Sequence, residues 1–147
     1  MKENVKEKKT EHIDQKQFQQ KYMEIQICSA QIKEIQKQLQ ALENQFSEII
    51  SIKESLDEMS RISHGTEILV PVSSGIFATA EIKNTSNLLV NVGGGVIVEK
   101  NIEQTKQLLD RQLDEIMHIK SQLSSEAGKI SQRAQVIEQD LVSLAKS

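Results

Sequence analysis

The feature that most constrains this fold is a change of apolar period in the middle of the chain. Residues 66–100, TEILVPVSSGIFATAEIKNTSNLLVNVGGGVIVEK, follow a period of two. Both flanking segments repeat apolar residues every seven positions, in alternating steps of three and four, which is the pattern of a coiled coil. The single proline, Pro71, lies in the central stretch, and five of the six glycines lie from residue 65 to residue 95. The sequence therefore predicts short strands between two long helices.

The first heptad segment predicts a helix over residues 13–64. Its two apolar tracks are Phe18, Ile25, Ile32, Leu39, Phe46 and Cys28, Ile35, Leu42, Ile49, Leu56. After Ile49 we expect the register to shift, because Ile52 is apolar while Lys53 occupies the old track. Gly65 is predicted to end the helix in the left-handed conformation. Residues 1–12 are rich in Lys and Glu and are predicted to form a disordered tail.

The second heptad segment predicts a helix over residues 101–146. Its first track is apolar at every step: Ile102, Leu109, Ile116, Leu123, Ile130, Ile137, Leu144. The companion track is weaker, because Lys106 and Lys120 occupy two of its positions and must extend their ammonium groups to water. Asn101 followed by Gln104 predicts a capping box at the start of this helix.

The central segment, residues 66–99, predicts two β-hairpins. Ser73, Ser74 and Gly75 turn the first, and Gly93 with Gly94 turns the second. Pro71 cannot donate a ladder hydrogen bond, so it must lie at a bulge or point its nitrogen away from the partner strand. The apolar positions of the strands are predicted to form an interface between subunits: Ile68, Val70, Val72, Ile76, Ala78, Ile82, Leu88, Val90, Val92, Val96 and Val98.

These elements predict one α+β domain over residues 1–147. It is a long antiparallel two-helix coiled coil with two β-hairpins at the bend. Two helices alone cannot cover the apolar faces of the hairpins, and isolated hairpins are marginally stable in water. Their free edges also invite pairing with other strands. The hairpins are therefore expected to join an intersubunit β-barrel.

Composition argues against several classes of protein. The formal net charge is -3 and the sequence pI is about 5.7, so no general attraction to nucleic acid or to an anionic membrane is expected. No apolar run approaches the roughly 20 residues that cross a bilayer. One cysteine, Cys28, allows no intrachain disulfide and suits a reducing compartment. We expect a cytoplasmic protein.

The sequence predicts no catalytic residue, no cofactor and no metal site. His12, His64 and His118 are too far apart for ligand spacing. Gly93, Gly94 and Gly95 lack the following Lys-Ser/Thr of a phosphate-binding loop and are predicted to be a turn. Cys28 lies on a heptad track and is predicted to be a small core residue. The chain is therefore not expected to be an enzyme.

The central hairpins resemble those of prefoldin, specifically its α-class subunit. The resemblance rests on ILVPVSSGIFATAEI and LLVNVGGGVIVEK, which look like the two-hairpin insert of that class. It implies an ATP-independent co-chaperone in a hetero-hexamer of two alpha and four beta-type prefoldin subunits. It further implies that coiled-coil tips hold non-native client proteins and deliver them to a group II chaperonin.

The antiparallel coiled coil predicts that both chain ends meet at one tip. The residues predicted to bind clients there are Ile13, Phe18, Tyr22, Met23, Val136, Leu141, Val142 and Leu144. The alternative for Phe18, Leu141 and Leu144 is that they only close the seam between the helices. The alternative function is a structural coiled-coil protein that assembles through its strands into a homo-oligomer or filament.

Overall fold

The computed structural model describes residues 2–146, apart from the side chains of residues 9–13. Its elements are α1 (Lys2–Met59), β1 (Glu67–Ser73), β2 (Ile76–Glu81), β3 (Leu88–Gly93), β4 (Val96–Lys100) and α2 (Ile102–Lys146). This order confirms the predicted fold class of two long helices and two hairpins. The chain divides into two compact units: the terminal unit, Met1–Leu42 with His118–Ser147, and the central unit, Glu43–Met117.

The two helices run antiparallel in each unit. In the central unit Lys53 pairs with Asp110 and Lys106 pairs with Asp57, so residue numbers rise along α1 as they fall along α2. In the terminal unit the Lys21 Nζ lies 2.8 Å from the Asp140 Oδ2. Further along α1 in that unit, the side chain of Ile35 lines a groove together with Leu123 and Ile130 of α2.

The predicted heptad tracks are the buried seam. The buried apolar residues are Leu56, Leu109, Leu113 and Ile116 in the central unit, and Cys28, Ile35 and Ile137 in the terminal unit. The predicted shift of register after Ile49 is wrong. Ile52 is 42% exposed, whereas Lys53 is half-buried, so the seam continues through Lys53 to Leu56. A lysine can occupy the seam because its stem lies along apolar surface while its ammonium reaches Asp110.

The bounds of α1 differ from the prediction at both ends. The helix begins at Lys2 instead of 13, which corrects the predicted disordered tail over residues 1–12 for the part described. That stretch has no Gly or Pro and is dominated by Lys and Glu, which are good helix formers. The helix ends at Met59 instead of 64. Gly65 is left-handed (φ 86°), but its N–H donates to the Ile82 carbonyl, so it belongs to the base of the first hairpin.

The two hairpins are separate two-stranded antiparallel sheets, β1–β2 and β3–β4. They share one register: Pro71 pairs with Phe77 in the first, and Asn91 pairs with Ile97 in the second. Each then has a bulge, between Pro71 and Ser73 and between Asn91 and Gly93, followed by a two-residue loop. The bulge beside Pro71 agrees with the expectation for proline in a strand.

The turns of the two hairpins differ in backbone conformation. Gly94 (φ 60°) and Gly95 (φ 76°) are both left-handed, as a type I′ turn requires. Of the two loop residues of the first hairpin, only Gly75 (φ 76°) is left-handed. The other loop residue is not a glycine, and every described residue with positive φ is a glycine. The Asn91 Oδ1 also accepts a hydrogen bond from the Gly93 N–H at 3.0 Å. The second turn therefore depends more strongly on glycine than the first.

A capping box joins β4 to α2, as the sequence predicts. The Gln104 N–H donates to the Asn101 Oδ1 at 2.7 Å, and the Asn101 N–H donates to the Gln104 Oε1 at 3.1 Å. These two bonds satisfy backbone donors that the start of a helix otherwise leaves unpaired. Only Asn101 separates Lys100 of β4 from Ile102 of α2, so the cap fixes where the strand ends and the helix begins.

Candidate interaction surfaces

The first face of the hairpins is the set of strand residues predicted from sequence to form the subunit interface. Alternation along a strand places these side chains on one side of each sheet. In the structure Ile68, Ile82, Leu88 and Val90 are half-buried. The other members of the set are exposed: Val70, Val72, Ile76, Ala78, Val92, Val96 and Val98. The central unit thus presents a row of β-branched side chains that the described chain leaves largely open to solvent.

The second face of the hairpins is also apolar at its centre, and the sequence reasoning missed it. Leu69 is 68% exposed and Leu89 is 74% exposed, and Phe77 and Ile97 are exposed beside them. The signal was available, since LVPV and LVNV repeat the same leucine in both hairpins. Toward the ends of the strands this face carries charge, as at Glu81. It is therefore less uniformly apolar than the first face.

The strand edges are a third feature of this surface. Within the described residues each sheet contains two strands, so every strand has one edge without a neighbouring strand. Such edges carry backbone N–H and C=O groups that readily pair with strands of another chain. Exposed apolar faces and open edges on the same hairpins make the strands the surface best suited to assembly.

The second candidate surface lies in the terminal unit. We call the exposed apolar residues Phe18, Tyr22, Met23, Val136 and Val142 the terminal apolar surface. Phe18 occupies a seam track and is 42% exposed, so its side chain is partly covered and partly in contact with water. Leu141 and Leu144 are half-buried, as seam residues are. The side chain of Ile13 lies outside the described residues.

One further residue extends the terminal apolar surface. Ile27 is exposed and lies four positions after Met23 on α1, so the two side chains are neighbours on one helix face. The sequence reasoning considered only the residues nearest the chain ends and missed it. The four-residue spacing of two large apolar residues off the seam would have indicated it.

The described side chains contain no group of three His, Cys, Asp or Glu residues placed to hold a metal ion. Cys28 is buried on the seam, which is the position expected for a small core residue. No described helix combines the length and apolar character needed to cross a membrane.

The fold and its surfaces define a class: an α+β protein with two long helices and two β-hairpins, in which apolar side chains of the strands and of the helices are exposed. A family model described as "Prefoldin subunit" matches residues 28–147. The chain therefore belongs to the prefoldin family, whose members are subunits of non-enzymatic chaperones.

A solved structure supports the same fold. The chain is similar to one in the cryo-EM structure of filamentous PFD from Methanocaldococcus jannaschii, with a TM-score of 0.76. The two chains are 14% identical, and the match covers 81% of this chain and 98% of that chain. At this identity the likeness establishes a common fold. No curated protein matches the chain.

Proposed function

We propose that this chain is an α-type prefoldin subunit that binds non-native polypeptides without using nucleotide. The observation that carries the proposal is the terminal apolar surface. Tyr22, Met23 and Val142 lie off the seam and are exposed, so they are not needed to hold α1 against α2. Large apolar side chains kept in water in this way are available to apolar segments of an unfolded client.

Binding at this surface is weak for one subunit and stronger for an assembly. Among the described residues, each terminal unit offers a few scattered apolar side chains. Several such units that act together raise the effective concentration of the second and later contacts. Met23 also adapts to differently shaped client segments, because its side chain is flexible and polarizable. This combination suits a protein that holds many unrelated sequences.

The proposed assembly is a hetero-hexamer with two alpha and four beta-type subunits. The first face of the hairpins and the open strand edges support it, because a closed barrel built from several chains would cover both. From the family resemblance we further propose that the assembly works in the cytoplasm and delivers clients to a group II chaperonin. The net charge of -3 offers no attraction to nucleic acid or to anionic membranes.

Aggregation assays on the full assembly test client binding. One variant combines Tyr22→Ser, Met23→Ser and Val142→Ser. We expect it to need an about 10-fold higher concentration of the assembly to suppress client aggregation. Assembly with a β-type partner is expected to be unchanged, because these residues lie outside the hairpins. A stronger version removes residues 1–22 and 136–147 and is expected to abolish suppression.

The matched control replaces polar residues of the same helix segments. Gln20→Ser, Gln26→Ser and Gln139→Ser change three exposed positions without removing apolar surface. This variant is expected to suppress aggregation like the parent chain. Client binding at the terminal apolar surface is refuted if the triple apolar variant assembles normally and protects clients as well as this control.

A second candidate function is self-assembly into a homo-oligomer or filament. The exposed strand faces and open edges favour it, because nothing about them requires a different partner chain. The similar solved structure is that of a filamentous protein, so a filament is the specific form of self-assembly that we consider. Negative-stain microscopy of the chain alone and with a one-hairpin partner separates the two. If long polymers persist when the partner is present, the hetero-hexamer is rejected and the second candidate function is supported.

A further inference from the structure

Lysines interrupt the apolar seam at positions where the heptad repeat calls for an apolar residue. Lys21 lies on the track of Cys28, Lys53 on the track of Phe46, and Lys106 on the track of Leu113. In each case the structure pairs the ammonium with an aspartate of the other helix. The partners are Asp140, Asp110 and Asp57 respectively.

Two of these pairs form a crossed arrangement in the central unit. α1 carries Lys53 and Asp57, and α2 carries Lys106 and Asp110, so each helix has a lysine followed four residues later by an aspartate. Because the helices are antiparallel, each lysine meets the aspartate of the other helix. We call these four residues the crossed quartet.

We propose that the crossed quartet sets the alignment of α1 against α2, and that it does so at a cost in stability. The remaining seam residues are mostly Leu and Ile repeated every seven positions. Such a seam tolerates sliding by one heptad, because apolar residues still meet apolar residues. The charged positions do not repeat in this way, so they are the part of the seam that distinguishes one alignment from the next.

The sequence shows what sliding would do to the quartet. A slip of seven residues in one direction brings Lys53 level with Met117 in place of Asp110. A slip in the other direction brings Lys106 level with Ile50 in place of Asp57. Either slip leaves at least one half-buried ammonium without its carboxylate. An unpaired charge that is partly removed from water is destabilising.

In the terminal unit Lys21 pairs with Asp140 of the other helix in the same way. Sliding its helices by one heptad would bring Lys21 level with Arg133 instead of Asp140, so two cations would face each other. Parallel pairing of α1 with a second copy of α1 is also disfavoured, because it would place Lys53 opposite Lys53 across the seam. The seam lysines thus oppose the two main wrong pairings of a Leu/Ile coiled coil.

The exposure of the quartet indicates a role in specificity and not in stability. The lysine side chains are 29% and 24% exposed, but the aspartate side chains are 53% and 51% exposed. Ion pairs with this much contact with water add little to stability in comparison with an apolar seam, because screening and the partial burial of the lysine ammonium offset the attraction. Replacing the lysines with leucine would therefore strengthen the seam while removing what defines its alignment.

Pulsed EPR on the full chain tests this proposal. Spin labels at Glu48→Cys and Glu115→Cys, in a Cys28→Ser background, lie on exposed positions of α1 and α2 and leave the seam intact. The parent quartet is expected to give one narrow distance distribution. Lys53→Leu with Lys106→Leu is expected to raise Tm by about 5 °C. It is also expected to add a second population, since one heptad moves a helix by about 10 Å along its axis.

A second variant keeps the lysines and removes their partners. Asp57→Asn with Asp110→Asn is expected to lower Tm and to broaden the distance distribution. The control, Asp14→Asn with Asp114→Asn, removes the same charge from exposed positions and is expected to match the parent. The proposal is overturned if the leucine variant keeps the single parental distance, or if the quartet asparagine variant behaves like its control.

Discussion

In the central unit, leucines of the helices are buried, whereas leucines of the hairpins are exposed. Leu56, Leu109 and Leu113 are each about one-tenth exposed or less, because α1 and α2 cover each other within one chain. Leu69 and Leu89 of the hairpins are 68% and 74% exposed. The same residue type is thus a core residue on the helices and a surface residue on the strands.

From this difference we expect the chain to depend on other chains at its strands. Burial of the seam stabilises the helix pair without any partner. A two-stranded hairpin has no second layer to cover its faces and is marginally stable alone. Assembly should therefore depend on the strands, and the stability of the chain should depend on the seam.

The largest expected effect is on assembly. Val70→Asp with Val90→Asp places a charge at equivalent positions on the first face of both hairpins. If that face is buried between chains, the charges would weaken association by at least about 100-fold. Native mass spectrometry with a β-type partner measures this loss, and circular dichroism is expected to show unchanged helix content.

The matched variant tests which face is buried. Leu69→Asp with Leu89→Asp puts the same charges on the second face, which already carries glutamates toward its ends. We expect assembly to weaken by less than about 10-fold, because a charge that stays in water costs little. If this variant abolished assembly while the Val70 and Val90 variant did not, the assignment of the faces would be reversed.

The next effect concerns stability within the chain. Ile116→Ala removes a buried seam side chain and is expected to cost about 3 kcal/mol, which lowers Tm by about 10 °C. Ile119→Ala, three positions along α2, removes the same atoms from a residue that is 42% exposed and is expected to change Tm by less than about 2 °C. Assembly is expected to survive both changes. Equal shifts in Tm would show that the seam is not where the structure places it.

A smaller effect compares the two hairpins with each other. Gly94→Ala forces a residue with a Cβ into φ 60°, which is expected to cost about 1 kcal/mol or slightly more. Ser74→Ala changes the equivalent loop position of the first hairpin, where φ is not positive, and should be neutral within about 0.5 kcal/mol. Denaturant titration of the assembled protein measures both. A neutral Gly94 variant would argue against the type I′ turn.

The smallest effect is at the junction of strand and helix. Asn101→Ala removes the side-chain acceptor of the capping box and is expected to cost about 1 kcal/mol, or about 3 °C in Tm. Gln107→Ala, on the exposed side of the same helix, serves as the control. Thermal unfolding followed by circular dichroism compares the two variants, and an unchanged Tm for Asn101→Ala would show that the cap does not stabilise α2.

Much of this fold could be predicted because its signals are local. Heptad spacing identified the buried seam of both helices, and the Asn101–Gln104 spacing identified the cap. The end of α1 was misplaced because Gly65 has the conformation of a helix-ending glycine but serves the base of a hairpin. The register at Lys53 was misread because the pattern treats lysine as polar, whereas its stem can lie in a seam when an aspartate across the helix pair receives its ammonium.

The candidate surfaces were less predictable, for a physical reason. Alternation marks one face of a strand as apolar, and it gave no reason to examine Leu69 and Phe77 on the other face. Exposure of a seam residue such as Phe18 depends on how the neighbouring helix covers it. The heptad pattern of one helix contains no information about that cover. In one chain, a surface that binds partners differs from the rest only as uncovered apolar surface, which the fold of the hairpins reveals and the sequence alternation does not.

The most direct test of this account is the mass of the chain in solution at micromolar concentration, measured by analytical ultracentrifugation together with the strand content from infrared spectroscopy. We expect the strands to be ordered only in a species heavier than one chain, formed with a β-type partner or with further copies. A stable single chain of 16.6 kDa with both hairpins intact would contradict the claim that the strands require other chains.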